Sequence, residues 1–381
     1  MTRAVALIVV AELFGTSLWF TGNAAVPDLV AAWQLSPLGA AGLLAAVQLG
    51  FVVGTLTLAA TGLADRFAAH RVFALSALVG ALANAGFAHL ADDLPTALVF
   101  RSVTGLSLAG VYPLGMKLVV TWAPDRAGAA LGWLVGALTL GTASPFLLRY
   151  LGGRFPWEAA TTAASVLAVL GGVIVLMLGE GPAKKPGALV RWGTVWKAFR
   201  TPAFRASALG YFGHMWELYA FWALVPLFLV AAQVEPVTLA AFGVIGAGAA
   251  GCVLGGWLSR RVGSAPVAAV ALLVSGLMCL LFPLLSFLSP VSCLLLLCLW
   301  GFAVVADSPQ FSALSAKACP PEAIGSGLAV QNGIGFLITI GSIQLTGALW
   351  AELGPQVAWL LAPGPLLGLI GLYPLLRRPA K

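Results

Sequence analysis

The chain has 381 residues, of which 60% are hydrophobic and only 9% are charged; its formal net charge is +7 and its mean hydropathy is +1.00. Soluble domains carry about 25% charged residues. The composition therefore excludes a soluble globular protein and predicts an integral membrane protein.

Twelve apolar stretches follow one another along the chain, each long enough to cross a bilayer core of about 30 Å, which takes roughly 20 helical residues. Lipid offers the backbone no hydrogen bonds, and these runs are too long and too uniformly apolar for barrel strands. The sequence therefore predicts an all-α membrane protein with twelve transmembrane helices. The predicted spans are about 4–25, 38–62, 71–91, 95–122, 127–149, 157–178, 206–231, 237–258, 265–288, 290–315, 324–350 and 355–376.

Basic residues are divided unevenly between the two predicted membrane faces. Sixteen of the 20 lysines and arginines fall on the face that carries both termini, whereas the loops of the other face receive Arg149 and Arg154. Basic loops stay in the cytoplasm, which predicts a multi-pass protein of a bacterial-type cytoplasmic (inner) membrane with both termini cytoplasmic. These cations attract anionic lipid, so the net charge requires no nucleic-acid partner.

One long polar connection divides the chain into two halves. The predicted units are an N-terminal six-helix bundle of residues 1–178, a cytoplasmic linker of residues 179–205 and a C-terminal six-helix bundle of residues 206–381. The halves keep one register at an offset of about 196 residues, which indicates an internal duplication with parallel repeats. The matching pairs are TGLADRFA (61–68) with GWLSRRVG (256–263), TGLSLAGVYPLG (104–115) with WGFAVVADSPQF (300–311), and GAALGWLVG (128–136) with GSGLAVQNG (325–333).

GLADR, at residues 62–66, resembles the signature loop between the second and third spans of the major facilitator superfamily. Asp65 and Arg66 stand in the expected places and Arg71 lies beyond them. The fourth span is similar to a second motif, an arginine followed four residues later by a glycine, through Arg101 and Gly105. The resemblance covers essentially the whole chain. It implies two pseudo-symmetric six-helix bundles around a central cavity, and a conformational gate at Asp65, Arg66 and Arg71.

Charged residues away from span ends lie on only four predicted spans, the first, fourth, seventh and tenth. A charge in hydrocarbon costs about 2.5–3.5 kcal/mol on insertion scales, so it normally faces a polar cavity or a partner. In the fold that the sequence resembles, these four helices line the cavity. We therefore expect one shared site for Glu12, Arg101, Lys117, Glu217 and Asp307.

The acids of this set are candidates for proton coupling. Glu217 follows His214 by three residues, which places both on one helix face. A carboxylate withdrawn from water is costly to ionise and could load and release a proton, while histidine titrates near neutral pH. Glu217 is the first candidate, followed by Asp307, Glu12 and His214, although His214 could instead be a hydrogen-bonded packing residue. The pair offers too few ligands for a metal, and no metal or cofactor is expected.

The two cations are candidates for anion binding. Arg101 could hold a substrate anion or a carboxylate such as Glu12, or merely fix the first and fourth spans by an ion pair. Lys117 is turned by roughly 160° from Arg101 on an ideal helix, so it either contacts an anion or extends to the membrane surface. Asp307 could be a partner for either cation instead of a proton carrier.

Aromatic and polar side chains on the same spans and on the eleventh complete the predicted binding site. Such groups fix the orientation of a small ligand in a pocket. They are Trp19, Asn23, Tyr112, Trp216, Gln310, Gln331 and Asn332.

The sequence therefore favours a secondary active transporter, a monomer, that moves a small anionic or zwitterionic solute by alternating access together with protons. One alternative is a proton-driven exporter of drugs or metabolites. Another is a receptor or scaffold with the same fold that transports nothing. An intramembrane enzyme is disfavoured, because the chain lacks an HExxH motif and its histidines, at positions 70, 89 and 214, are scattered.

Overall fold

The computed structural model describes residues 2–19, 21–61, 63, 67–124, 127–152, 156–183, 198–285, 288–319 and 324–377. All regular structure within these ranges is helical. Ten helical stretches of described residues are long and apolar enough to cross a membrane. The all-α membrane fold is thus confirmed.

The count of twelve spans stays a prediction. The first helix has 14 residues, too few to cross the bilayer alone. The last two predicted spans form one continuous stretch, Val330–Leu376, in which a short 3-10 helix joins two α-helices.

Among the described residues, the α-helices before residue 184 include α1 (Arg3–Thr16), α2 (Thr21–Trp33), α3 (Pro37–Thr61), α4 (Ala69–Leu90), α5 (Leu94–Leu108), α6 (Tyr112–Trp122), α7 (Ala127–Gly152) and α8 (Trp157–Leu178). Further helices follow residue 197. They include α9 (Pro202–Ala231), α10 (Val237–Val262), α11 (Ser264–Leu285), α12 (Pro290–Ala306), α13 (Ser308–Ala318), α14 (Ile324–Leu353), the 3-10 helix (Gly354–Leu360) and α15 (Pro363–Leu376).

The fourth and tenth predicted spans are each broken into two helices. The fourth is interrupted at residues 109–111, between α5 and α6, and the tenth at Asp307, between α12 and α13. A proline stands at the second position of the following helix in both, Pro113 and Pro309. Proline lacks an N–H and fixes φ, so it favours the start of a helix over its interior. The two prolines are related by the 196-residue offset seen in the sequence.

The same close packing of two helices occurs in both halves of the chain, at glycines 196 residues apart. A Cβ added at Gly105 of α5 would collide with the carbonyl of Val47 on α3. A Cβ added at Gly301 of α12 would collide with the carbonyl of Val244 on α10. Only glycine permits backbones to approach this closely. Both halves of the chain therefore use one glycine on the equivalent helix for the same contact.

Among the described residues, two helix pairs make the largest contacts between the halves of the chain, and α13 adds a smaller contact with α7. Helix α3 packs along α14, and α7 packs along α10. Small residues line the second contact, where a Cβ at Gly136 would lie 3.2 Å from the carbonyl oxygen of Ala249. The central cavity lies between these two contacts, enclosed by helices from both halves.

Candidate functional site

A small cavity lies at the centre of the helix bundle, lined by residues of α6, α7, α9, α12, α13 and α14. The volume open to the centre of a water molecule is about 20 Å³, which is room for roughly one water. A solute can therefore enter only if the surrounding helices move apart. The polar lining residues are Tyr112, Tyr211, Tyr219, Ser308, Ser312 and Asn332.

Of the predicted site residues, Tyr112 and Asn332 line the cavity, whereas the sequence analysis did not name the other four polar lining residues. A signal for two of them was present in the sequence. Ser308 and Ser312 are four residues apart and so share one face of a helix directly after Asp307. The lining residues that the structure describes include no charged side chain. Binding in this cavity thus relies on hydroxyl, amide and aromatic groups.

Arg101 lies outside the cavity lining and binds the break in the first predicted span. It is fully buried on α5. Its guanidinium donates to the carbonyls of Leu18 and Trp19, at 3.2 and 2.5 Å. Residues 17–19 form a turn between α1 and α2, so their carbonyls lack helical partners. In this structure the cation thus stabilises a non-helical backbone segment.

A polar network surrounds the same guanidinium. Arg101 donates to Thr21 Oγ1 at 2.8 Å and to Asn84 Oδ1 at 3.2 Å. The amide of Asn84 in turn donates to the carbonyl of Thr161 and to the hydroxyl of Ser165, both at 3.0 Å. The network joins α2, α4, α5 and α8. Arg101 Nε has no partner among the described residues, but the other bonds of this buried network make the unit rigid.

Asp307 and His214 form the charged contact nearest to the cavity. Both side chains are 1% exposed, and His214 Nδ1 lies 2.8 Å from Asp307 Oδ1, although the angle departs from that of a hydrogen bond. Asp307 stands at the break of the tenth span, directly before the cavity residue Ser308. His214 follows the cavity residue Tyr211 by one turn, and their rings are 6.0 Å apart. Asp307 of the tenth span therefore contacts His214 of α9.

Glu217 is buried away from the cavity lining and accepts three hydrogen bonds. Trp300 Nε1 and Cys279 Sγ donate to its Oε1 at 2.6 and 3.2 Å, and Ser275 Oγ donates to its Oε2 at 2.9 Å. His214 shares the helix with Glu217 but contacts Asp307 instead. The two residues expected to act as neighbours are therefore turned toward different helices.

Glu12 is fully buried on α1, and neither of its carboxylate oxygens has a hydrogen-bond partner among the described residues. The carboxylate lies against Gly115 of α6, where an added Cβ would collide with Oε2. Glycine at this position leaves the carboxylate the room that a side chain would take. Glu12 is thus placed next to the fourth span, as expected, but without Arg101 as its partner.

Trp19 lies in an aromatic cluster between the two halves of the chain. Its ring centroid is 5.0 Å from Phe51, 5.6 Å from Tyr219 and 5.5 Å from Phe336. Tyr219 and Phe336 also line the cavity. Trp216 is directed elsewhere, because its indole N–H donates to the carbonyl of Leu360, 2.9 Å away at the end of the 3-10 helix.

The family model of the Major Facilitator Superfamily matches residues 7–343 of the chain. The chain belongs to the Major Facilitator Superfamily. Two curated bacterial proteins are similar to part of it. The niacin transporter NiaP of Acinetobacter baylyi is 31% identical over 162 residues, 40% of this chain and 34% of that protein. A putative metabolite transport protein of Haemophilus influenzae is 30% identical over 127 residues, 32% of this chain and 30% of that protein. Each match thus spans about a third of the relative.

The remaining predicted residues of this superfamily member are dispersed. Arg71 is exposed beside a shallow lateral groove between α4 and α8. Asp65 and Arg66 lie outside the described residues, as does the side chain of Asn23. Of the three predicted gate residues, the structure therefore describes only Arg71.

Three further predicted site residues are absent from the cavity lining. Lys117 is half-buried on α6. Gln310 is 2% exposed and faces Gly255 of α10, and Gln331 is 1% exposed with an Oε1 that has no partner among the described residues. Within the described ranges, no group of three or more His, Cys, Asp or Glu is placed to hold a metal ion.

Proposed function

We propose that this chain is a secondary transporter that moves a small organic acid across the membrane by alternating access and couples this movement to protons through Asp307 and His214. The observation that carries the proposal is the position of this pair. It is buried at the break of the tenth span and borders the cavity through Ser308 and Tyr211.

The pair offers a physical route for coupling. With one shared proton, the carboxylate and imidazole attract each other and hold α9 against the break between α12 and α13. A second proton leaves a neutral acid beside a charged imidazolium, which weakens that attraction. Because the contact lies where the helix is already interrupted, a change in its strength alters how the tenth span sits beside the cavity.

The chemistry of the cavity supports an acid that moves together with a proton. Its described lining has no cation to neutralise a carboxylate, and an unpaired anion is costly in a membrane interior. Movement of the anion with a proton carries no net charge. The similarity to a niacin transporter supports the same class of substrate, because niacin is a small carboxylic acid.

Proteoliposomes that contain the purified full-length chain test this proposal. An imposed inward proton gradient should drive accumulation of labelled niacin above its external concentration. Asp307→Asn, which preserves shape but cannot ionise, should reduce this uptake to the level of empty liposomes. Glu217→Gln is the matched control, since it changes a buried acid that does not line the cavity, and it should retain uptake.

Three outcomes would contradict the proposal in different ways. Gradient-driven uptake that survives Asp307→Asn would exclude this residue as the coupling group. Loss of solute from loaded vesicles, accelerated by an inward gradient, would establish the exporter. Binding without flux for every organic acid in a panel would favour the receptor.

A further inference from the structure

We infer that the indole of Trp19 occupies a slot that receives a planar heteroaromatic ring of the substrate when the helices open, and that Gln48 recognises the polar edge of that ring. The inference rests on the proposed function and narrows its substrate class. The slot is formed by Phe51, Tyr219 and Phe336.

The slot is defined by rings from both halves of the chain. Trp19 and Phe336 are stacked, with centroids 5.5 Å apart and planes inclined by 29°. Phe51 and Tyr219 face the same indole at 5.0 and 5.6 Å. These are the separations of favourable aromatic pairs. In this structure the slot is thus filled by a planar ring of the protein itself, the indole of Trp19.

The slot is continuous with the cavity. Tyr219 and Phe336 belong to both, so the indole packs against two residues of the cavity wall. The cavity itself admits only about one water. Withdrawal of the indole would join the two spaces and expose two aromatic faces to an entering solute.

The backbone at Trp19 permits the side chain to move while the chain stays in place. Residues 17–19 form a turn, so the ring is not fixed by a surrounding helix. The carbonyl of Trp19 is held by Arg101 at 2.5 Å. The indole N–H makes one hydrogen bond, to Gln48 Oε1 at 3.3 Å. Rotation of the ring therefore breaks one weak hydrogen bond and the ring contacts with Phe51, Tyr219 and Phe336, and it leaves the backbone anchored.

Gln48 gives the slot its chemical preference. It is 2% exposed on α3 and presents a carboxamide to the edge of the bound ring. A carboxamide both donates and accepts hydrogen bonds, so it can pair with a ring nitrogen in either protonation state. A planar ring with a polar atom at its edge satisfies both the stack and Gln48, whereas a saturated ring of the same size cannot stack.

Three carboxylic acids separate these features in a competition assay against labelled nicotinate with the purified chain. Nicotinate has a planar ring with a nitrogen, benzoate a planar ring without one, and cyclohexanecarboxylate a saturated ring. An aromatic contact is worth about three- to tenfold in affinity. Cyclohexanecarboxylate should therefore bind that much more weakly than benzoate, and nicotinate should bind more tightly than benzoate.

Variants assign each preference to a residue. Phe336→Leu should weaken both planar acids about three- to tenfold and leave cyclohexanecarboxylate unchanged. Gln48→Leu should remove the preference for nicotinate over benzoate. Trp19→Ala should tighten binding of the planar acids because it removes the competing ring, while Trp19→Phe should stay close to the parent chain. The comparison of the three acids on the parent chain requires no variant to fold.

The inference is overturned if planar and saturated acids compete equally, if Phe336→Leu weakens all three alike, or if Trp19→Ala weakens the planar acids. Weaker binding of the planar acids by Trp19→Ala would mean that the indole contacts the substrate instead of occupying its place. Proton-driven, Asp307-dependent uptake of an aliphatic solute, with no competition from any aromatic acid, would leave the proposed function standing and remove the slot. If uptake were insensitive to Asp307→Asn but the preference for planar acids were intact, the slot would stand and the proposed coupling through Asp307 would be removed.

Discussion

The breaks in the fourth and tenth spans occupy equivalent positions in the two halves of the chain, but the buried charged residues of these two spans make different contacts. On the fourth span, Arg101 donates to backbone carbonyls and neutral side chains of its own half. On the tenth, Asp307 contacts a second titratable side chain, His214, next to the cavity. The first arrangement fixes a structure. The second can change with protonation.

The difference shows that duplication preserved backbone geometry without preserving chemistry. Pro113 and Pro309, like Gly105 and Gly301, are related by one offset and serve the same local purpose in each half. The charged side chains have no such counterpart, since Leu297 and Val111 stand at the positions equivalent to Arg101 and Asp307. A symmetric scaffold thus carries an asymmetric site.

The largest expected effect tests the shared geometry. Gly105→Val and Gly301→Val should each prevent folding in detergent, because the added side chain meets a backbone carbonyl that cannot turn away. The cost should reach or exceed the roughly 1–3 kcal/mol typical of overpacked cores. Gly243→Val is the matched control, since nothing lies within 4 Å of its added Cβ. The monodisperse fraction in size-exclusion chromatography measures the outcome. Unequal losses at the two glycines would argue against equivalent packing.

A second substitution tests the structural role of the cation. Arg101→Ala should lower the free energy of unfolding by on the order of 3 kcal/mol, because it removes the guanidinium donors from the carbonyls of Leu18 and Trp19, although the hydroxyl of Thr21 still donates to Leu18. The free energy of unfolding of Arg101→Lys should lie between those of the parent chain and Arg101→Ala, since an ammonium keeps the charge but cannot reproduce the planar fork of the guanidinium. Titration with a denaturing detergent reports the stability. A stable Arg101→Ala protein that loses only substrate binding would instead place Arg101 in the site.

A smaller effect is expected at Glu217. Glu217→Gln keeps one carbonyl acceptor for Trp300, so the free energy of unfolding should fall by about 1 kcal/mol. Glu217→Ala leaves three buried donors unsatisfied and should cost more, about 2–3 kcal/mol. Thermal unfolding of the two variants measures this order. Equal stability of both variants would show that the three hydrogen bonds contribute nothing.

The smallest effect concerns the unpartnered acid of the first half. Gly115→Ala should destabilise by about 1 kcal/mol, because the new methyl displaces the carboxylate of Glu12. In a Glu12→Ala background the same change should be neutral, since the other neighbouring side chain, Phe73, is 3.6 Å from the added Cβ. A double-mutant cycle isolates this coupling. Additive effects would show that the two positions are independent.

The sequence alone determined the spans and the helices that carry charge. Apolar length and flanking polar residues set the ends of most helices within a few residues, as at Trp157–Leu178, which coincides with its predicted span. Pro113 and Pro309 stand directly after the breaks in the fourth and tenth spans, where a residue without an N–H favours a helix start. Hydrophobicity and proline chemistry are local properties, so they can be read without knowing which helices are neighbours.

The tertiary structure alone decided which partner each charge has. Spacing placed His214 and Glu217 on one face, yet His214 contacts Asp307 and Glu217 accepts a hydrogen bond from Trp300. The break at residues 17–19 contains no proline or glycine, so no local signal announced the free carbonyls that Arg101 binds. Contacts across helices depend on distances and rotations set by packing of the whole bundle, and these are not encoded in any single segment.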